Sequence, residues 1–145
     1  MKHKLPRQMP RLQAGFSLLE LLVVILIIAL LTSVIGPRLF QQVSNARVRT
    51  AQSQMKTLQD ALVRYRLDTG AYPDADQGLQ ALQVAPTGVS GWMGPYLQEA
   101  IPADPWGHPY IWRNPGQSSE VEVASLGSDG KPGGSGEAAD LVQGF

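Results

Sequence analysis

The chain has 145 residues, a length typical of about one domain. Its 12 Lys and Arg residues balance 12 Asp and Glu residues, which excludes a protein that binds nucleic acid through a large excess of basic charge. It contains no Cys, and this excludes a disulfide framework, thiolate zinc sites and cysteine nucleophiles.

The charges and the helix-breaking residues are unevenly distributed along the chain. Residues 1–67 contain ten basic and two acidic side chains, whereas residues 68–145 contain two basic and ten acidic ones. Thirteen of the 15 Gly and eight of the 11 Pro follow residue 69. This distribution predicts a helical first half followed by a small, turn-rich body.

Residues 16–35 have the length and composition of a membrane-spanning helix. A helix of twenty residues is about 30 Å long, the thickness of the hydrocarbon core of a bilayer. Fifteen of these residues are Leu, Ile, Val or Phe, and Glu20 is the one charged residue. The apolar side chains favour insertion by about 5 to 9 kcal/mol, whereas one carboxylate costs about 2.5 to 3.5 kcal/mol. The flank before this segment has four basic side chains: Lys2, Lys4, Arg7 and Arg11. We therefore expect a cytoplasmic N-terminus and a C-terminal part beyond the membrane.

A cleaved signal peptide or a simple signal anchor would have a similar composition. However, Thr32 and Ser33 do not form a good cleavage site, and the helical pattern continues beyond them. A lone carboxylate within an apolar span also requires a cationic partner.

The motif GFSLLEL at residues 15–21 resembles the prepilin signature of type IV pilins and type II secretion pseudopilins. The resemblance implies that a membrane aspartic peptidase removes the leader, residues 1–15, after Gly15, and that Phe16 is then N-methylated. It also implies that Glu20 pairs with an N-terminal amine and sets the stagger between adjacent subunits of a fibre. The alternative interpretation is an interfacial Glu20 that extends toward the headgroups and has no role in assembly.

Gly36-Pro37 follows the apolar segment and predicts a kink or a melted stretch, because proline removes one helical hydrogen bond. We therefore divide the mature chain into an assembly helix, residues 16–36, and a periplasmic domain, residues 37–145. Within that domain we expect a helix over residues 38–69, with a loop and a sheet over residues 70–145.

The second part of the helix has an apolar stripe that repeats at spacings of three and four residues. Its members are Ala51, Met55, Leu58, Leu62 and Tyr65. We expect this stripe to pack against the body. Basic residues occupy the other faces, namely Arg47, Arg49, Lys56, Arg64 and Arg66. They are either simply solvated or positioned to meet acidic groups of other subunits.

The helix is expected to end near Asp68-Thr69-Gly70, since Gly70 is a suitable C-terminal cap and Pro73 lies just beyond it. Residues 76–84 are typical of a short second helix with Asp76 near its N-cap.

The rest of the body is predicted to contain an ordered loop and about three short strands. The loop, residues 88–109, is rich in Gly and Pro but is anchored by five large apolar residues: Trp92, Tyr96, Leu97, Ile101 and Trp106. The predicted strands are Pro109–Arg113, Glu120–Leu126 and a brief one near Leu141–Gln143. Glu120-Val-Glu-Val alternates polar and apolar residues, a pattern typical of a half-buried strand. Three short strands need the helix to complete a core, so the predicted fold class is α+β.

Several segments of this half are similar to the major pseudopilins of type II secretion systems, the general secretory pathway protein G family. The similar segments are TGAYP (69–73), GLQAL (78–82), WMGPYL (92–97), DPWGHPY (104–110), SLGSDGK (125–131), GG (133–134) and ADL (139–141). The resemblance extends from Gly15 to Leu141. Adhesive type IV pilins usually have a C-terminal disulfide loop, which a chain without Cys cannot form.

The loop from Leu126 to Asp140 contains five glycines and would be entropically costly to order without a staple. A hard cation such as calcium, bound by six to eight oxygens, is one such staple. The resembled family binds one calcium in this loop. By match of motif, the expected ligands are the carbonyl of Leu126 and the side chains of Asp129 and Asp140, with Ser128, Ser135 and Glu137 as weaker candidates. The alternative is a metal-free turn in which Asp129 forms a local Asx turn.

No pattern in the sequence indicates catalysis, since it contains no Ser-His-Asp arrangement, no paired catalytic carboxylates and no P-loop. His108, between Gly107 and Pro109, is interpreted as an exposed loop residue. Trp92, Trp106 and Trp112 are interpreted as loop anchors rather than as nucleic-acid contacts.

The resemblance implies a non-enzymatic subunit anchored in the inner membrane and assembled into a periplasmic fibre. It implies a homopolymer that depends on a prepilin peptidase and methyltransferase, on minor pseudopilins and on an inner-membrane platform, and that helps to export folded proteins. Two alternatives are an adhesive or motility pilin and a signal-anchored periplasmic binding domain.

Overall fold

The computed structural model describes residues 15–145, apart from the side chains of residues 34 and 37. The basic leader, except Gly15, lies outside the described residues, and so do the four cationic side chains to which we assign the cytoplasmic orientation. The contacts within the chain divide it into two units at Phe40 and Gln41, and each unit is described by itself.

A single helix, α1, extends from Leu18 to Thr69. The melted stretch predicted at Gly36-Pro37 is wrong for this structure, because the helix is continuous across both residues. Proline removes one backbone donor and crowds the carbonyl of the preceding turn, but the residues on either side of it remain helical. The kink, which is the other outcome predicted at these residues, stays a prediction.

The apolar stripe of α1 forms the core of the second unit, as predicted. All five of its members are buried: Ala51, Met55, Leu58, Leu62 and Tyr65. Leu79, Leu82, Tyr110 and Val123 pack in the same cluster. The helix ends where expected, since Gly70 has a left-handed φ of 87° and its N–H donates to the carbonyl of Arg66 at 2.8 Å.

The second helix is shorter and tighter than predicted, a 3-10 turn over Leu79–Leu82. Its predicted cap, Asp76, is wrong. Asp74 accepts the N–H of Gln77 at 2.7 Å, and the Gln77 side chain accepts the N–H of Asp74 at 3.0 Å. This reciprocal pair satisfies the backbone donors of the preceding turn, so Asp76 has no such role.

Three antiparallel strands form one sheet in the order β1 (Ile111–Arg113), β2 (Glu122–Ser125), β3 (Leu141–Gly144). All three lie within the predicted segments or one residue from them. The expectation of a half-buried β2 is wrong, because all four of its residues are buried. Glu122 is only 1% exposed, since its carboxylate finds partners inside the fold: it accepts from the N–H and the hydroxyl of Ser118 at 2.7 and 2.8 Å.

The loop before β1 is anchored by aromatic side chains, as predicted. Four of the five predicted anchors, Trp92, Tyr96, Leu97 and Ile101, pack against the core cluster, and the indole N–H of Trp92 donates to the carbonyl of Ala81 at 2.9 Å. Trp106 lies outside that cluster, and its buried indole nitrogen has no hydrogen-bond partner among the described residues. The rings of Tyr65, Trp92 and Tyr96 pack edge to face. These contacts make the Gly- and Pro-rich segment an ordered part of the body.

Candidate functional site

The first candidate site is the start of α1, where the predicted cleavage and assembly residues lie. Gly15 and Phe16 precede the helix, and Phe16 is 79% exposed. Ser17 caps the helix, because its hydroxyl oxygen accepts the N–H of Glu20 at 3.1 Å. Glu20 therefore lies in the first turn, near the positive end of the helix dipole, four residues from Phe16.

The helix that follows presents its apolar side chains without covering them. Every residue from Leu21 to Leu31 is exposed within the described chain. The two hydroxyl groups further along are satisfied by their own helix, since Thr32 donates to the carbonyl of Ile28 and Ser33 to that of Leu30, each at 2.8 Å. This is the only helix among the described residues that is long and apolar enough to cross a membrane.

The second candidate site is the glycine-rich loop between β2 and β3. It contains two short 3-10 turns, Gly127–Asp129 and Gly136–Ala138, which lie against each other. Gly127 has a left-handed φ of 66°, and a Cβ on it would lie 2.6 Å from the carbonyl oxygen of Glu137. The close approach of these two backbone segments therefore requires glycine at this position.

The predicted cation ligands lie around this loop, but they differ in how many of their oxygens have hydrogen-bond partners. Asp140 is half-buried: its Oδ2 accepts the N–H of Gly133 at 3.0 Å, whereas its Oδ1 is buried and has no hydrogen-bond partner. Asp129 is exposed, and its Oδ1 accepts the N–H of Lys131 at 3.1 Å, the geometry of an Asx turn. Leu126 is the half-buried residue that precedes the first turn.

The weaker candidates are distributed around the same loop. Ser128 and Ser135 are exposed, whereas Glu137 is half-buried in the second 3-10 turn. Among the residues that the structure describes, no group of three or more His, Cys, Asp or Glu side chains converges on one point. A cation here would therefore depend on backbone carbonyls and water as well as on carboxylates, a ligand set that calcium accepts and that zinc disfavours.

One cluster beside this loop was not anticipated from the sequence. Asp104 is 4% exposed, and its Oδ2 accepts the hydroxyl of Ser125 at 2.6 Å. His108 was interpreted as an exposed loop residue, but this is wrong: it is half-buried, and its Nδ1 lies 3.0 Å from the carbonyl oxygen of Gly127. The one available signal was the Asp-Pro pair that opens DPWGHPY, which is typical of a turn held by the Asp side chain.

The electrostatics of the body combine exposed and buried ion pairs. Arg66 pairs with Glu120 at 3.1 Å on the surface, and Arg113 pairs with the buried Glu122 at 3.4 Å. Hydrogen bonds from the N–H and hydroxyl of Ser118 lower the pKa of Glu122 to about 2.

Only some of the basic residues on the outer faces of α1 form ion pairs. Lys56 pairs with Asp60 at 3.0 Å, whereas among the described residues no ion pair involves Arg47, Arg49 or Arg64. The alternative between solvated groups and contacts with other subunits therefore stays open for these arginines.

Comparisons with known proteins match both parts of the chain. Residues 38–144 match the family model of the type II secretion system protein G, and residues 10–36 match the prokaryotic N-terminal methylation motif. The chain is 39% identical to the type II secretion system core protein G of Pseudomonas aeruginosa, over 90% of this chain and 94% of that protein. It is 40% identical to the core protein G of Escherichia coli K12, over 83% and 86%.

A solved structure supports the same relationship. The crystal structure of the major pseudopilin from the type 2 secretion system of enterohaemorrhagic Escherichia coli matches with a TM-score of 0.62 and 33% identity. The match covers 70% of this chain and 86% of that one. It confirms the predicted fold class, a long N-terminal helix with a small body that contains a three-stranded antiparallel sheet.

Proposed function

The chain belongs to the family of the type II secretion system protein G, and on that premise we propose how its parts serve a pseudopilus. It has the role of a major pseudopilin, a structural subunit. A pilin for adhesion or motility and a signal-anchored binding domain are not favoured. The observation that carries this role is the exposed apolar stretch Leu21–Leu31, which lies within the match to the methylation motif. Such a surface requires lipid before assembly and the helices of other subunits after it.

The apolar helix indicates an anchor in the inner membrane. We propose that it spans this membrane once, with the N-terminus in the cytoplasm and the body in the periplasm. The support is the charge difference across the segment, with four basic residues before it. A cysteine introduced at Gln117, in the exposed part of the body, should react with a membrane-impermeant maleimide added to the periplasm. Labelling only after the inner membrane is permeabilised would contradict this orientation.

The methylation motif and the family imply a prepilin peptidase, which we propose cleaves after Gly15 and then N-methylates Phe16. Mass spectrometry of the mature protein should find N-methylated Phe16 at its N-terminus. A Cβ on Gly15 would meet nothing within 4 Å, so Gly15→Val should block processing without disturbing the fold. Gly36 is a matched control with equally open surroundings, and Gly36→Val should be processed normally. A mature protein that still begins at Met1 would refute the proposal.

We propose that Glu20 pairs with the Phe16 amine of its own or an adjacent subunit during assembly. A carboxylate in an apolar span needs such a cation, and the amine is formed one helical turn away. Glu20→Gln should abolish fibres that can be sheared from cells and should reduce export. Asp60→Asn on the same helix removes an equal charge from an exposed site and should leave fibres intact. Normal polymerisation of Glu20→Gln would refute this role.

We further propose partners beyond the subunit itself. The fibre would grow as a homopolymer begun by minor pseudopilins on the inner-membrane platform, and its growth would help to move folded proteins outward. The support is the structural role of the family together with the absence of a catalytic arrangement in the sequence. Deletion of the protein should stop export without altering synthesis of the exported proteins, and it should be complemented by the intact chain.

We propose that the loop from Leu126 to Asp140 binds one calcium ion. The residues fit this ion, because the buried Oδ1 of Asp140 has no partner and a buried oxygen acceptor without one is energetically costly. The Leu126 carbonyl, Asp129 and Asp140 would hold the ion, with Ser128, Ser135 and Glu137 as weaker candidates. When bound, calcium would neutralise these acids and tie the two 3-10 turns together.

The calcium proposal is tested on the full chain in detergent. Calcium chloride should raise the melting temperature of the body, EGTA should reverse the shift, and magnesium chloride should have little effect. Asp140→Asn should lose the shift. Asp76→Asn is a matched control, since Asp76 is an exposed acid of a different turn, and it should keep the shift. A melting temperature insensitive to calcium and EGTA would remove the proposal.

A further inference from the structure

Two side chains hydrogen-bond to the backbone of Gly127, and a third, a buried carboxylate, holds one of them in place. They are Asp104, Ser125 and His108, which we call the Gly127 clamp. Ser125 is wholly buried and Asp104 is 4% exposed, so both polar groups depend on partners within the fold.

The direction of each hydrogen bond in the clamp follows from the buried carboxylate. Asp104 accepts the backbone N–H of Trp106 at 3.1 Å and that of His108 at 2.8 Å, and it also accepts the Ser125 hydroxyl at 2.6 Å. The hydrogen of Ser125 is therefore committed to Asp104. Its oxygen can then only accept, and it accepts the N–H of Gly127 at 3.2 Å.

His108 holds the other side of Gly127. Its Nδ1 lies 3.0 Å from the Gly127 carbonyl oxygen, and because a carbonyl oxygen can only accept, Nδ1 carries the hydrogen. The imidazole also covers the end of the same 3-10 turn, since a Cβ built on Gly130 would lie 3.0 Å from its Nε2. Both peptide groups that flank Gly127 are thus fixed.

Fixing the Gly127 N–H also fixes the Leu126 carbonyl, because the two belong to one planar trans peptide and point in opposite directions. We infer that the Gly127 clamp positions the Leu126 carbonyl as a calcium ligand and thereby sets the calcium affinity of the loop. The clamp residues are positioning residues that do not touch the ion. This inference rests on the proposed calcium site.

The physical reason for an effect on affinity is pre-organisation. A loop with five glycines between residues 127 and 136 loses much conformational freedom when it encloses an ion. A carbonyl that is already oriented by Ser125 and Asp104 needs no further ordering when calcium binds. Without the clamp, the carbonyl would have to be ordered when calcium binds, and this entropic cost would weaken binding.

The test compares two variants of the clamp with a matched serine variant, each as the full chain in detergent. Ser125→Ala removes a hydroxyl that donates to the buried Asp104, and Ser118→Ala removes one that donates to the buried Glu122 at 2.8 Å. Ser118 lies in a different loop, so its loss should affect stability but not calcium. His108→Ala is the second clamp variant. Its side chain is 37% exposed, so its removal leaves no large cavity and the variant should fold.

Calcium dissociation constants are measured by titration calorimetry with calcium chloride, and stability without calcium by thermal melting with EGTA. We expect Ser125→Ala to weaken calcium binding about tenfold, equivalent to about 1.4 kcal/mol. His108→Ala should also weaken calcium binding. The Ser118→Ala variant should bind calcium as tightly as the unaltered chain but melt at a lower temperature.

The outcomes separate this inference from the calcium proposal. If the unaltered chain binds calcium and both clamp variants bind it equally well, the inference is wrong and the calcium site stands. If Ser118→Ala weakens binding as much as Ser125→Ala, the effect is one of general stability and the inference is again wrong. If the unaltered chain binds no calcium, the calcium site itself is wrong, and the inference fails with it.

Discussion

Replacing Leu62 by Ala should destabilise the body by about 3 kcal/mol, whereas the same replacement at Leu67 should cost less than about 0.5 kcal/mol. Both residues lie in α1, so the change in helix propensity is nearly equal for the two. They differ in burial: Leu62 is 0% exposed in the core cluster and Leu67 is 78% exposed. The difference in stability between the two variants therefore measures the contribution of core packing at Leu62.

The magnitude at Leu62 combines two contributions. Truncation loses the transfer free energy of the removed carbons and leaves a cavity, and for buried leucines the total is about 2 to 5 kcal/mol. For a body of about 100 residues, 1 kcal/mol changes the melting temperature by about 4 to 8 °C. We therefore expect a decrease of about 12 to 24 °C for Leu62→Ala and of less than about 4 °C for Leu67→Ala.

Near-ultraviolet circular dichroism of the full chain in detergent can measure this difference. The three tryptophans follow residue 91, so the signal reports on the body rather than on the apolar part of α1. Equal losses in the two variants would refute the assignment of the core to one face of the helix. A loss at Leu62 below about 1 kcal/mol would show that the stripe contributes little to folding.

Three more predictions concern the body. Because the folded pKa of Glu122 is about 2, against an ordinary value of 4.5, its contribution to stability is complete above pH 4.5 and disappears as the pH falls toward 2. Denaturant midpoints between pH 6 and 3 should therefore fall more steeply for the unaltered chain than for Glu122→Gln. Tyr110→Phe should cost about 1 kcal/mol in urea unfolding, because the phenol donates to the Gln54 side chain at 2.6 Å. Gly91→Ala should lower the melting temperature strongly, since a Cβ there collides with a carbonyl of the last turn of α1 and φ is 81°.

The sequence predicted best those features that depend on local periodicity. The stripe from Ala51 to Tyr65 repeats with the period of a helix. Gly70 and Pro73 correctly predicted the end of the helix, which the structure places at Thr69. These signals lie within a few residues of the elements that they specify. The three strands were also found from local pattern, although the structure makes β1 and β2 shorter than predicted.

The errors arose where a partner distant in the sequence decides the outcome. The alternation of polar and apolar residues predicted a solvent-facing Glu122. Its carboxylate is buried because Arg113 on the neighbouring strand and Ser118 in the preceding loop donate hydrogen bonds to it. His108 looked unremarkable in the sequence because its partner, Gly127, is 19 residues away. Only the fold brings these groups together, so a pattern within one segment could not reveal them.

The glycine-rich loop shows how a chain without Cys orders a long connection. Side chains accept three of its backbone N–H groups: Asp129 accepts the N–H of Lys131, Asp140 that of Gly133, and Ser125 that of Gly127. Each of these bonds fixes one turn of the loop. The buried oxygen of Asp140 that has no partner is therefore the point at which the order of the loop is incomplete. A calcium ion bound at this oxygen would stabilise the loop in the same way as the Gly127 clamp does, because both restrict peptide groups that glycine leaves conformationally free.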